Sequence, residues 1–272
     1  MDKPEGFAAQ YPREEHGWIK FPSDVATRRS LFVPEAMEHP AKAQLHLVDA
    51  LVEYLTQPGD TVIDITAGTG SILLAARKGR RVVCIELREH YAHLIHQSAE
   101  KMGLAPMQYV VLQGDCRKFL PITCQAIIFS PPYSQTLASH SGMIRKDPKM
   151  DRSYGDYQGG EGDLGSLPPF AFNQEMRRIY QMCLQSLTRG GAVALIVKDF
   201  YQGERQELGY RHAQMMYQMG FRDMEWYQWA PPGTQFKKDH QVKGHRTVDD
   251  EHIIIARRPR EGDQSPAREA KV

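Results

Sequence analysis

The sequence has few cysteines and no cysteine pattern that would bind zinc. Only four of its 272 residues are cysteine, namely Cys84, Cys116, Cys124 and Cys183, and no two of them form a Cys-x-x-Cys pair. Structural zinc sites and disulfide-rich secreted domains both need closely spaced cysteines. The sequence therefore predicts neither a metal site nor a disulfide framework, and it favours a reducing, cytoplasmic location.

Long apolar segments and an excess of either charge are also missing. No stretch approaches the roughly 18 uninterrupted apolar residues of a membrane helix, and the first residues carry acids and prolines where a signal peptide needs an apolar run. The 34 Lys and Arg nearly balance the 33 Asp and Glu, and the net charge is +1. We therefore expect a soluble protein in which any binding surface for a charged partner is local.

The sequence does contain a regular succession of β-branched runs and helical stretches. An irregular arm is expected over residues 1–38, and an apolar stripe then predicts a helix at 40–56. The strands predicted after it are 61–65, 81–87, 108–112, 126–129, 192–197, 221–229 and 251–256, and the helices are 71–78, 88–101, 170–187 and 204–219. Apolar strands alternating with helices predict an α/β, Rossmann-like fold, with a mostly parallel seven-stranded sheet covered on both faces.

A single domain is predicted over residues 39–258, with two long connections inserted in it. These connections, 134–168 and 231–250, exceed the ~12–15 residues of ordinary loops, so we expect them to be functional or disordered. Residues 259–272 are polar and are expected to form a disordered tail.

A glycine-rich turn follows the first predicted strand and precedes a helix. The segment Asp64-Ile65-Thr66-Ala67-Gly68-Thr69-Gly70-Ser71 has the pattern that brings backbone close to a ligand, so a nucleotide-like ligand is expected. The dinucleotide fingerprint requires a third glycine where Leu73 stands, which disfavours NAD and FAD. Two further acids, Glu86 and Asp115, end the next two predicted strands. Three acids are therefore expected along consecutive strand ends.

A proline-rich turn, Ser130-Pro131-Pro132-Tyr133, follows the fourth predicted strand. Its two prolines donate no backbone hydrogen bonds and stiffen the turn. An exocyclic base amine is a poor nucleophile because its lone pair is delocalised into the ring, and acceptors that bond both of its hydrogens favour a pyramidal, reactive nitrogen. The Ser130 hydroxyl oxygen and the Pro131 carbonyl suit that role. Tyr133 is expected to stack on a base extruded from a duplex.

These motifs resemble those of the amino-methylating DNA methyltransferases, over about residues 39–258. The turn from Ser130 to Tyr133 matches that family's catalytic motif, and the turn from Asp64 to Gly70 matches its cofactor motif. His39-Pro40-Ala41-Lys42 is a shortened form of its upstream element that lacks the usual second proline, and the motif order is similar to the gamma arrangement. No separate target-recognition domain is visible, so recognition is expected to come from the two long connections.

The resemblance implies a class I methyltransferase fold, S-adenosylmethionine as the cofactor and a base flipped out of DNA as the substrate. It implies that Asp64, Glu86 and Asp115 contact the methionine end, the ribose and the adenine amino group of the cofactor, in that order. The predicted cofactor-binding residues are His39, Lys42, Asp64, Ala67, Gly68, Thr69, Gly70, Glu86, Asp115 and Cys116, and the predicted catalytic residues are Ser130, Pro131, Pro132 and Tyr133.

Serine at the first position of the catalytic motif is similar to the enzymes that methylate N4 of cytosine. The sequence therefore favours a site-specific cytosine-N4 DNA methyltransferase. Adenine N6, an RNA base and a protein amide remain as alternative substrates. An inactive nucleic-acid-binding relative remains as a non-enzymatic alternative, although the intact motifs argue against it.

Two basic clusters lie in the long connections. They are Arg145, Lys146, Lys149 and Arg152 in the first connection, and Lys237, Lys238, Lys243 and Arg246 in the second. A run of charge is by itself more often a solvated face. Beside a base-modifying motif, however, these eight side chains are predicted to contact the phosphates of a nucleic acid.

Overall fold

The computed structural model describes residues 6–39, 42–132, 162–231 and 246–262. The strands in these ranges are β1 Thr61–Asp64, β2 Arg81–Glu86, β3 Tyr109–Gln113, β4 Cys124–Phe129, β5 Leu187–Val197, β6 Phe200–Gln202, β7 Glu204–Gln206, β8 Arg222–Trp229 and β9 Glu251–Arg257. Seven of them form one sheet in the order β3-β2-β1-β4-β5-β9-β8, and β6 and β7 form a separate hairpin.

Two helices precede β1 and the others lie between strands, with several elements that were not predicted. They are α1 Val25–Leu31, α2 Leu45–Leu55, α3 Leu74–Arg77, α4 Glu89–Lys101, α5 Cys116–Phe119, α6 Pro169–Ser186 and α7 Leu208–Gln218. Short 3-10 helices occur at Pro34–Met37, Ser71–Leu73 and Leu164–Ser166. Within the described ranges, no helix has the length and apolar character needed to cross a membrane.

The sheet is mostly parallel, which confirms the predicted fold class. Strand β1 pairs in parallel with β2 on one side and with β4 on the other. Strand β9 is antiparallel to both β5 and β8. The strand order reverses between β1 and β4, and ligands of open α/β sheets bind outside the carboxyl ends of the strands at such a point. The glycine-rich turn and Ser130 follow these two strands, so both lie at this crevice.

Two apolar layers hold the helices against the sheet. Val62 of β1 packs in the layer that includes α2, α3 and α4, and the next residue, Ile63, packs in the layer that includes α6 and α7. Both side chains are fully buried. Successive residues of a strand point to opposite faces, so a strand covered on both faces is apolar throughout, as the sequence of β1 indicated.

The N-terminal arm is more regular than predicted. It contains α1 and the 3-10 helix at Pro34–Met37. Its aromatic residues pack as expected, because Phe7, Phe21 and Phe32 are all buried. The helix α1 escaped prediction because the residue that it buries is Arg28, whose type is normally exposed.

Two predicted boundaries in the second half are wrong. Strand β5 begins at Leu187 rather than at Ala192, although Gly190 and Gly191 ordinarily weaken a strand. The helix predicted over 204–219 begins only at Leu208, because residues 200–206 form the β6–β7 hairpin. Gly203 lies between its two strands with a φ of +74°, a conformation that glycine adopts without strain.

The two predicted insertions are described only at their ends. Residues 162–168 and 246–250 belong to the described part of the chain, and 133–161 and 232–245 lie outside it. Of the predicted tail, residues 263–272 also lie outside.

Candidate active site

The glycine-rich turn is fixed to its neighbours by its own backbone. The Asp64 carboxylate accepts a hydrogen bond of 3.0 Å from the Thr66 backbone N–H. The Ala67 N–H donates to the Ile85 carbonyl of β2 at 3.0 Å. Thr69 is buried within the turn. The turn therefore keeps its shape without depending on the side chains of Thr66 and Ala67.

The two glycines of the turn have different neighbours. Both lie in the left-handed region, Gly68 with a φ of +54° and Gly70 with a φ of +82°. A Cβ on Gly70 would lie 3.1 Å from the Ile95 Cγ1 atom of α4, whereas one on Gly68 would lie 3.5 Å from the His39 Nε2 atom. Gly70 is therefore required by its φ and by the close approach of α4. Gly68 is the glycine that faces a predicted cofactor residue.

Glu86 ends β2 directly beneath this turn. Its Oε2 atom accepts from the Gly68 N–H at 2.7 Å, and its Oε1 atom accepts from the Arg88 N–H at 2.9 Å. Burial raises the pKa of Glu86, because the charged form has lost water. A carboxylate can accept about four hydrogen bonds, so Glu86 has capacity left for a ligand in addition to these backbone N–H groups. Its remaining acceptor capacity thus fits a ligand that offers two adjacent hydroxyls.

Asp64 shares this environment. Its pKa is raised to about 7, chiefly by burial and also by the nearby Glu86 carboxylate, against the lowering effect of the Thr66 hydrogen bond. A carboxyl group that is half ionised near neutral pH responds to a cationic group placed beside it. Asp64 therefore suits the cationic methionine end of the cofactor that the resemblance implies.

Asp115 is more occupied than the sequence indicated. It caps α5 by accepting from the Arg117 N–H, and the Arg117 guanidinium binds both carboxylate oxygens, with Nη2 2.7 Å from Oδ2. These hydrogen bonds outweigh the effect of burial and hold the pKa of Asp115 below its usual value. The predicted contact of Asp115 with an adenine amino group would have to share the carboxylate with Arg117.

The first described residues after the second gap in the chain, Gly162 and Asp163, return to this end of the crevice. A Cβ on Gly162 would lie 3.1 Å from the Asp115 Oδ2 atom, and the Gly162 carbonyl accepts from Arg117 at 3.2 Å. Asp163 forms an ion pair of 3.1 Å with Arg88. Neither interaction was predicted, because the residues involved carry no motif.

The upstream element lies beside the turn. His39 is buried near Gly68 and packs edge-on against Tyr91, with ring centres 4.5 Å apart. The Lys42 ammonium donates to the carbonyls of Met37 and His39, the former at 2.9 Å. Burial lowers the pKa of Lys42, and the neighbouring Arg28 lowers it further. Lys42 therefore braces the loop that positions His39.

Arg28 is a site-supporting residue that sequence reasoning missed. Its guanidinium is 2% exposed and donates to the Ser71 hydroxyl at 3.2 Å, to the Ala43 carbonyl at 2.6 Å and to the Asp24 carboxylate at 2.9 Å. These partners belong to the N-terminal arm, the segment after Lys42 and the residue that follows Gly70. One buried cation thus joins three segments around the glycine-rich turn.

The Ser130 turn is anchored on both sides. The Ser130 hydroxyl donates to the Ile196 carbonyl of β5 at 2.8 Å, and the Ser130 carbonyl accepts from the Thr66 hydroxyl at 2.8 Å. Pro131 is buried and Pro132 is half-buried, whereas Tyr133 lies outside the described residues. Because the hydroxyl proton is directed at Ile196, the Oγ lone pairs are left to accept.

A buried polar network continues along the same sheet edge from the end of β5. Asp199 contacts the Arg205 Nε atom at 2.9 Å and the His252 Nε2 atom at 3.1 Å. These contacts outweigh the effect of burial and lower the pKa of Asp199 to about 2. The Trp226 indole N–H donates to His252 Nδ1 at 3.2 Å, which places the imidazole proton on Nε2. This network anchors the β6–β7 hairpin.

Of the remaining predicted residues, Cys116 begins α5 and is buried, and burial raises its pKa to about 12. The thiol is therefore neutral.

Arg246 lies with its guanidinium carbon 5.9 Å from the centre of the Tyr201 ring. The other predicted phosphate contacts, Arg145, Lys146, Lys149, Arg152, Lys237, Lys238 and Lys243, lie outside the described residues. No cluster of metal-binding side chains occurs in the described part of the chain.

A sequence model of a family described as DNA methylase matches residues 10–97. The match covers less than half of the chain and includes the upstream element, the cofactor turn and Glu86, but it ends before Ser130. It supports an amino-methyltransferase of the N4-cytosine/N6-adenine family, with S-adenosylmethionine as the cofactor. Among curated proteins, none matched the chain.

Solved structures show the fold. A methyltransferase from Pyrococcus furiosus is 15% identical with a TM-score of 0.51, and the match covers 81% of this chain and 87% of that one. TrmN from Thermus thermophilus is 16% identical with a TM-score of 0.53, over 85% of this chain and 52% of that one. A precorrin 8w decarboxylase from Methanobacterium thermoautotrophicum is 14% identical with a TM-score of 0.50, and the match covers 80% of this chain and 92% of that one. The chain therefore has the class I S-adenosylmethionine-dependent methyltransferase fold and is similar, over residues 10–97, to the amino-methylating DNA methylases.

Proposed function

We propose that the chain transfers a methyl group from S-adenosylmethionine to the N4 amine of cytosine in DNA. The observation that carries this proposal is the direction of the Ser130 hydroxyl. Its proton is donated to the Ile196 carbonyl at 2.8 Å, so the oxygen is left to act as a hydrogen-bond acceptor. An acceptor at this position suits an amine substrate. Groups that accept hydrogen bonds from the N–H groups of a base amine favour a pyramidal, more nucleophilic nitrogen.

The surroundings of Ser130 support an amine rather than a hydroxyl or thiol substrate. Pro131 contributes a carbonyl and no N–H, so the turn offers acceptors without a competing donor at that residue. A substrate hydroxyl would need a general base to remove its proton before attack. At this point the Thr66 hydroxyl meets the Ser130 carbonyl, and neither of these two groups is a base.

Cofactor binding rests on the three strand ends. Glu86 would hold the ribose hydroxyls, and Asp64 would face the cationic methionine end. When bound, S-adenosylmethionine supplies the activated methyl group, so the protein contributes position and hydrogen bonding. Cys116 and the Arg117-bound Asp115 would border the adenine, with His39 on the other side of the turn.

The choice of cytosine over adenine depends on Ser130. A serine accepts from the amine without placing a buried carboxylate beside the base, where loss of water would need compensation. We propose that Tyr133 stacks on the flipped base, and that the eight basic residues of the two connections contact phosphates. The DNA methylase match over residues 10–97 favours DNA over RNA as the substrate.

Replacement of Ser130 tests the proposal. Ser130→Ala should lower kcat by about 100-fold, because an acceptor that acts on the reacting amine in the transition state is removed. S-adenosylmethionine affinity, measured by calorimetry, should stay within about twofold of wild type. Ser30→Ala is a matched control, since this serine of α1 is exposed and its hydroxyl donates to the nearby Thr27 carbonyl. Wild-type turnover in Ser130→Ala would contradict the assigned role.

A further inference from the structure

The Thr66 side chain links the cofactor turn to the Ser130 turn. Its hydroxyl donates a hydrogen bond of 2.8 Å to the Ser130 carbonyl, between residues 64 positions apart. Thr66 follows β1 and Ser130 follows the neighbouring β4. The contact therefore spans the crevice in which the methyl donor and the acceptor base would have to meet.

The Ser130 carbonyl, which accepts this hydrogen bond, belongs to a peptide unit that has no N–H group. The unit joins Ser130 to Pro131, and proline has no N–H, so the carbonyl is the only hydrogen-bonding group in that unit. The Thr66 hydroxyl thus sets the orientation of a peptide that would otherwise have no polar anchor. The Ser130 hydroxyl is held separately, by the Ile196 carbonyl of β5. The turn is tied to the strands on both of its sides.

The cofactor turn does not depend on the Thr66 hydroxyl. The Thr66 N–H already donates to Asp64, and the Ala67 N–H donates to Ile85. Gly68 is held by its own N–H, which donates to Glu86. Loss of the hydroxyl would therefore release the Ser130–Pro131 peptide while leaving the backbone of the cofactor turn in place.

We infer that Thr66 is a positioning residue for methyl transfer, which fixes the Ser130–Pro131 peptide relative to the bound cofactor. This inference rests on the proposed function of Ser130. Thr66 would act without contacting either reacting atom. Its effect on the reaction would come through placement, and a displacement of about 1 Å at a reacting centre can cost on the order of 100-fold in rate.

Two variants separate the hydroxyl from the rest of the side chain. Thr66→Val keeps the shape and removes the hydrogen bond, and Thr66→Ser keeps the hydroxyl. Thr66→Val should lower kcat by about 10- to 100-fold, with the Kd for S-adenosylmethionine within about twofold of wild type. Thr66→Ser should retain kcat within about threefold. An equal loss in both variants, or a matching loss of cofactor affinity in Thr66→Val, would overturn the inference.

Amide hydrogen exchange gives a readout that does not depend on activity. In the full chain without DNA, the amides of Phe129 and Ser130 should exchange faster in Thr66→Val than in wild type, and at the wild-type rate in Thr66→Ser. Unchanged exchange in Thr66→Val would refute the anchoring role. If the wild-type protein methylates no base, the proposed function fails, and the exchange result still decides whether Thr66 anchors the turn. If Thr66→Val does not fold, Thr66→Ala, which adds no atom near Ser130, takes its place with the same expected results.

Discussion

At the scale of single residues, the strand-end carboxyls make the site sensitive to pH. The pKa of Asp64 is raised from its usual 3.8 to about 7 by burial, so the folded protein holds a proton that an unfolded chain has already released. Between about pH 4 and pH 7 Asp64 holds more proton in the folded state than in the unfolded state, so its contribution to stability falls as the pH rises.

A single substitution tests this dependence. Asp64→Asn keeps an oxygen for the Thr66 N–H and cannot ionise. The free energy of unfolding of Asp64→Asn minus that of wild type, measured with urea on the cofactor-free proteins, should be larger at pH 7.5 than at pH 5. The same slope in both proteins would mean that Asp64 titrates normally.

Glu86 carries a separate expectation for cofactor affinity. Glu86→Gln replaces one accepting oxygen by an NH₂ group, which can only donate. This NH₂ group must face either a backbone N–H or a hydroxyl of the ligand, so two donors oppose each other. We expect a loss of about 1–3 kcal/mol in S-adenosylmethionine binding, measured by calorimetry. Glu89→Gln is the control, because this neighbouring glutamate at the start of α4 is exposed. Equal affinity in Glu86→Gln and Glu89→Gln would remove Glu86 from the cofactor site.

At the scale of elements, α1 supports the cofactor turn through Arg28. Arg28→Met should lower the free energy of unfolding by about 1–3 kcal/mol, because the Ala43 carbonyl and the Asp24 carboxylate lose a buried partner. Cofactor affinity should fall as well, since Ser71 loses a hydrogen bond beside Gly70.

Arg29→Met is the matched control, because Arg29 is the adjacent, exposed residue of the same helix. Urea denaturation and calorimetry on both variants separate the two effects. If Arg28→Met behaved like Arg29→Met in both measurements, α1 would have no connection to the site.

The elements that sequence predicted are those whose residues follow their usual preferences. The β-branched run of β1 and the apolar stripe of α2 were recognisable because burial selects those residue types. The helix α1 and the β6–β7 hairpin were not, since Arg28 and Arg205 are positioned by ion pairs with Asp24 and Asp199. These pairs join residues four and six positions apart, but charged pairs add nothing to the apolar periodicity from which the elements were predicted.

At the scale of the whole molecule, the two motif turns were predictable as neighbours once the sheet was recognised as parallel. The carboxyl ends of its strands share one edge, and the order reversal places β1 beside β4. The Thr66–Ser130 hydrogen bond was not predictable, because it depends on a rotamer and on the detailed path of two turns. The same applies to the guanidinium of Arg117 on Asp115.

The basic connections should govern nucleic-acid affinity without affecting the cofactor. Replacing Lys237, Lys238 and Lys243 by alanine should reduce the slope of log K against log salt by roughly 0.9 for each phosphate that is no longer neutralised. Arg81→Ala and Arg189→Ala serve as controls, because both residues are exposed near the amino ends of their strands, away from the crevice. Fluorescence anisotropy over a salt series gives the slopes. A slope that the three substitutions leave unchanged would show that these lysines bind no phosphate.

Nucleoside mass spectrometry tests the proposed reaction most directly. The purified protein and S-adenosylmethionine are incubated with one of three substrates: unmethylated plasmid DNA, transfer RNA or ribosomal RNA. Ser130→Ala is tested in parallel, and each nucleic acid is then digested to nucleosides. The predicted result is N4-methylcytosine in the DNA, absent from the Ser130→Ala sample. N6-methyladenine in the DNA would contradict the assignment of cytosine from Ser130, and methylation confined to RNA would contradict DNA as the substrate.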